Sequence, residues 1–208
     1  MKKHFNEYFA KVVLESCFPQ KFDILEISDK PDLRHLGSNT GIEVTYSMPK
    51  KEAEAVNVWH RIYKGKSKNV ERDIERLSQL GIEYDSKSFV WDQGCYDGNI
   101  KEGPIKEFFD AVAQKVERLN SKTAEYAGMA HYELFVNSTI LIPDEQILAV
   151  IGILKEINNR DKKFETIYLI TNEQKLYVFD MYKEGLHIKY LYNHLNWMAD
   201  KAKRLLMD

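Results

Sequence analysis

The sequence predicts an α/β fold, a mixed central sheet flanked by helices, on three observations. Stripes of apolar residues at helical spacing alternate with short apolar runs along the chain. The cluster Gly37-Ser38-Asn39-Thr40-Gly41 is turn chemistry between two such runs and marks a hairpin. A second hairpin is marked where FETIYLIT and KLYVFDM flank Asn172-Glu173-Gln174.

Taken in order, residues 4–18 read as a helix, with Phe5, Phe9, Val12, Val13 and Ser16 on its stripe and Pro19 ending it. Residues 22–29 read as a strand, broken by Lys30-Pro31. The first hairpin then completes a three-strand meander. From Pro49 the period becomes helical: Ala53, Val56, Trp59, Ile62 and Tyr63 share a stripe, interrupted by the lysine-rich GKSK at 65–68. A second piece through Val70, Ile74, Leu77 and Leu80 stops at Gly81. Phe89-Val90-Trp91 suggests a short strand before the loop DQGCYDGNIKEGP. Residues 50–104 are therefore expected to form an insertion or cap on one domain spanning 1–208. A third helix is expected from Ile105 to about Tyr126, carrying Phe108, Phe109, Val112, Val116 and Leu119. A buried strand follows over 132 to about 137, then a helix over about 144–157 opened by Pro143-Asp144. The second hairpin and a helix from about Asn193 to Met207 complete the chain.

Composition bounds the rest. The chain has 208 residues, enough to bury a sizeable core, with 44% hydrophobic and 30% charged residues, an ordinary soluble balance. A formal net charge of -2 argues against a broad basic coat, yet leaves room for a local basic groove. Cys17 and Cys95 have no paired metal spacing, and the interrupted start MKKHFNEYFAKVV does not read as a signal peptide. No apolar stretch approaches a membrane span. A cytoplasmic setting without membrane contact is expected.

The stretch PDLRHLGSNTGIEVT, Pro31 to Thr45, holds the candidate chemistry. As a hairpin it would bring Asp32 at the first arm close to Glu43 on the second. Strand alternation puts Glu43 and Thr45 on one face and Ile42, Val44 and Tyr46 on the other. Two hard carboxylates at one point are what a Mg²⁺ or Mn²⁺ site needs, with waters and a substrate phosphate completing the shell. Turn formation for Asp32 and a solvated strand face for Glu43 are the plainer readings.

This stretch resembles the signature of the PD-(D/E)XK, restriction-endonuclease-like nuclease superfamily: a Pro-Asp, then at variable spacing an acid, any residue and a lysine. Asp32 and Glu43 match the motif's acids, and Thr45 stands where the lysine belongs. The resemblance implies metal-dependent hydrolysis of phosphodiester bonds in DNA, with Asp32, Glu43 and the Val44 carbonyl as ligands. The superfamily core of helix, three strands, helix and strand agrees with the element order above. A threonine hydroxyl can position a water but supplies no charge. Lys115, at the edge of the third helix's stripe, is the candidate replacement, with a snorkelling boundary lysine as its plainer reading. Gln114 is a weaker polar neighbour. Members often add an acid from the first helix, here Glu7 in preference to Glu15.

His35 lies in the hairpin and could face substrate. The six histidines have no zinc spacing, and no phosphate-binding glycine loop is present. Trp59, Tyr63, Trp91 and Tyr96 sit among lysines 64, 66 and 68, where stacking on bases competes with ordinary packing. The expected function is thus a Mg²⁺- or Mn²⁺-dependent DNA nuclease, with a homodimer compatible with cutting both strands. The alternative is a catalytically degenerate relative serving as a nucleic-acid- or protein-binding module.

Overall fold

The computed structural model describes residues 4–84, 104–121, 128–171, 173–183 and 185–207. It is a mixed α/β architecture. Among the described residues seven strands form one sheet, and their order in space is their order in the chain. They are β1 (Glu26–Ile27), β2 (Leu33–His35), β3 (Thr40–Ser47), β4 (His131–Ser138), β5 (Thr166–Ile170), β6 (Lys175–Asp180) and β7 (Gly185–Tyr190). The pairs β3/β4 and β4/β5 are parallel and the other four antiparallel.

Helices α1 (Phe5–Cys17) and α6 (Leu195–Met207) pack on each other and on one face of the sheet, over Ile42, Val44, Phe135 and Tyr168. Helices α4 (Pro104–Asn120) and α5 (Ile147–Ile157) cover the other face, over Leu134, Val136, Ile167 and Tyr177. The central strands are buried on both faces, which explains why their sequences read as continuous apolar runs. Helices α2 (Lys50–Tyr63) and α3 (Val70–Gln79) form a hairpin with its own small core of Ala55, Val58, Leu77 and Ile82.

The expected elements recur with four differences. The strand expected over 22–29 shrinks to Glu26–Ile27. The Lys21 and Phe22 N–H groups bond back to the Phe18 carbonyl, and the Leu25 N–H goes to Glu15 Oε1 at 2.7 Å, so no ladder forms before Glu26. The third helix ends at Asn120, whose amide bonds the Val116 carbonyl at 2.8 Å and the Lys162 carbonyl at 2.9 Å. The helix expected from 144 opens with a 3-10 turn, Asp144–Gln146. The fourth difference is β7, absent from the sequence reading: only Leu186 and Ile188 of this edge strand pack inward, too short an alternation to stand out. The expected strand Phe89-Val90-Trp91, together with Trp91, Cys95 and Tyr96, lies outside the described residues.

Candidate active site

The register of the first hairpin builds the site. Leu33 pairs with Ile42 across β2 and β3, so one step beyond the ladder sets Asp32 opposite Glu43. Asp32 continues the ladder with its side chain: Oδ2 accepts the Val44 N–H at 2.7 Å. A residue's N–H and C=O leave the same edge of a strand, so the Val44 carbonyl also points away from β4, toward the Asp32 side.

Glu43 projects to the face under α4. The α4 stripe buries Val112, Val116 and Leu119, and Lys115 falls on this covered side between them. Its ammonium donates to Glu43 Oε2 at 2.7 Å and to Asp32 Oδ2 at 3.3 Å. The side chains are 2% exposed for Glu43, 14% for Lys115 and 24% for Asp32, so solvent reaches the cluster chiefly through Asp32. Burial raises the Glu43 carboxyl above the ordinary glutamate range. The Lys115 charge opposes that rise and the Asp32 charge adds to it.

Three residues singled out in the sequence thus converge: Asp32, Glu43 and Lys115. Thr45 follows Glu43 on the same strand and is half-buried. Gln114 lies beside Lys115 and lines a pocket of about 200 Å³ with Tyr46, Ser47, Glu107 and Asp110. Within it the Ser47 hydroxyl is buried without a hydrogen-bond partner. The Tyr46 phenol is pushed up to about 12 by burial and by Glu52, and so remains a proton donor at neutral pH.

The acids of the first helix go elsewhere. Glu7 closes the start of α1, Oε2 accepting the His4 N–H at 3.3 Å. Glu15 pairs with Lys11 and accepts the Leu25 N–H. Neither joins Asp32 and Glu43, and among the described residues no three His, Cys, Asp or Glu side chains gather as a metal-holding group. The expectation that Glu7 is a further ligand is corrected accordingly: a glutamate three residues past a helix N-cap has a local partner at hand. His35 is buried, and both ring nitrogens are engaged, one 2.7 Å from Asp23 Oδ1 and the other 2.7 Å from Ser38 Oγ. It closes the hairpin. Trp59 stacks on Tyr63, centroids 4.8 Å apart, and packs against the small α2–α3 core.

A second buried carboxylate escaped the sequence reading. Glu133 on β4 is 3% exposed and projects to the α1 face. It accepts from Lys21 Nζ at 2.6 Å and from the Tyr168 hydroxyl at 3.0 Å. An acid inside an apolar run was the signal at Glu43, and YELFVNS carries the same one. No family model, no curated protein and no solved structure matches the chain, so the geometry of these side chains is what a functional reading rests on.

Proposed function

We propose that Asp32, Glu43 and Lys115 form the centre of a Mg²⁺- or Mn²⁺-dependent nuclease that hydrolyses phosphodiester bonds in DNA, as the PD-(D/E)XK resemblance implies. The observation carrying this reading is Lys115 Nζ at 2.7 and 3.3 Å from two carboxylates that arrive from different strands of a hairpin. A positive charge from α4 beside both acids supports the reading, since Thr45 at the motif lysine's position supplies none.

The donor set suits a hard cation. Oδ1 of Asp32 and Oε1 of Glu43 lie outside the bonds to Lys115 and Val44, and the Val44 carbonyl faces the same side. Mg²⁺ commonly takes one or two carboxylates and leaves the remaining positions to water and phosphate oxygens. Bound there, it would lower the pKa of an attacking water and offset charge on the phosphate. The chain's own groups do the rest. Lys115 orients the water and offsets negative charge on a non-bridging oxygen, and the Thr45 hydroxyl offers a further hydrogen bond. Glu43, held in place by Lys115, fixes its geometry before substrate arrives.

A second reading draws on the same salt bridge. Lys115 already pairs with Glu43 and reaches Asp32, so the buried carboxylate has its counter-charge without a metal, as in a nuclease-like module that binds but does not cut. Cleavage of plasmid and single-stranded DNA with Mg²⁺ or Mn²⁺, alongside Mn²⁺ calorimetry, separates the two. The nuclease reading expects cleavage to fall at least about 100-fold in Asp32→Ala, Glu43→Ala and Lys115→Ala. It expects Mn²⁺ heat to vanish in the first two. Wild-type protein that neither cuts nor binds Mn²⁺ would sink it in favour of the binding module.

A further inference from the structure

The hairpin of α2 and α3 encloses a groove of about 730 Å³ lined by Arg61, Lys66, Lys68, Arg72 and Arg76, with Asp73 and Glu75 as its acids. The chain as a whole carries a formal charge of -2, yet residues 61–76 hold six lysines and arginines against three acids. The cations divide into two sets. Arg61 bonds Asp73 at 2.8 Å and Arg76 bonds Glu54 at 2.7 Å, and Glu54 belongs to α2 while Asp73 and Arg76 belong to α3. These pairs tie the helices together and set the groove's width. Lys66, Lys68 and Arg72 are exposed and form no ion pair among the described residues.

We propose that this groove docks the sugar-phosphate backbone of duplex DNA, an inference that rests on the nuclease reading for the identity of the polymer. Three unpaired cations on the walls of a polar trough match a line of phosphates, the contacts that position DNA without reading its sequence. A flat membrane surface fits less well, because the groove's lining offers no apolar side chain to insert. The placement is also apt. Helix α2 starts three residues beyond β3, the strand that carries Glu43, so groove and site follow one another along the chain.

The test is fluorescence anisotropy of a labelled 20-base-pair duplex titrated with the full chain in EDTA, where binding is read apart from any cleavage. Lys66→Gln, Lys68→Gln, Arg72→Gln together should weaken binding at least tenfold and lower the slope of log affinity against log salt by about two to three. The Lys66→Arg, Lys68→Arg pair should bind like wild type, and all variants should melt alike because none of the three side chains holds the fold. Wild-type binding in this titration, together with no cutting in the separate assay with Mg²⁺ or Mn²⁺, would support the groove while removing the nuclease reading. Failure of the wild type to bind at low salt would overturn the groove. So would a triple variant that binds undiminished, or polyglutamate or anionic vesicles that displace the DNA at equal charge.

Discussion

Glu43 and Lys115 are each other's reason for being buried. A carboxylate 2% exposed would be strongly disfavoured alone, and an ammonium 2.7 Å away offsets much of that cost. Lys115→Met should therefore destabilise the protein by about 3 kcal/mol at pH 7, since it strands an unpaired buried charge. The sign of the pH dependence follows from Glu43. Its carboxyl holds a proton more tightly folded than unfolded, so that contribution to stability is present below the ordinary glutamate range and lost as pH rises through the raised value. Removing Lys115 raises the value further. Urea unfolding should then show the gap between wild type and Lys115→Met narrowing as pH falls, and Glu43→Gln should restore part of the loss. A gap that stays constant with pH would mean Glu43 is not the stranded group. At this scale the sequence was legible where an acid interrupted an apolar run, as in GIEVTY. It was silent on Glu7, because a helix-capping glutamate and a metal-binding one look alike until their neighbours in space are known.

Elements meet at joints made of single polar side chains. Asn158, 2% exposed at the end of α5, donates to the Phe164 carbonyl at 2.7 Å and accepts the Phe164 N–H at 2.9 Å. This closes the connection into β5. Asn120 does similar work from the end of α4, bonding Lys162 in both directions. Asn158→Ala should cost about 2 kcal/mol, because it leaves two buried backbone groups without partners. Asn120→Ala, at a more exposed joint, should cost less. Chemical denaturation of the two variants checks the order, and equal losses would contradict it. Long elements such as α4 and β4 were readable from periodicity, since burial on one or both faces writes itself into the apolar pattern. β1 was read too long, as 22–29, because competing local bonds trim it, and β7 was not read at all, because its single covered face leaves no run long enough to recognise.

Across the molecule, protection is unevenly distributed. Strands β3, β4 and β5 lie between two helical layers, whereas α3 buries only Leu77. Hydrogen exchange should show the central-strand amides opening only with global unfolding, while α3 exchanges through local opening at least about 100-fold faster. Equal protection would mean that the α2–α3 hairpin is bound into the main core. The fold class was legible because the alternation of helical and strand periods survives any error at element ends. The arrangement of charge was not, because the -2 total conceals a basic trough that exists only once α2 and α3 lie side by side.

The agreement between spatial and chain order in the sheet bears on how the protein is made. Each strand joins at the growing edge, so none has to be inserted between two already placed. A nascent chain leaving the ribosome can lay the sheet down by accretion from β1 to β7. Among the described strands the longest interval falls between β3 and β4. Asp32 and Glu43 therefore belong to the part of the chain made before that interval, and the lysine that pairs with them to α4, made within it.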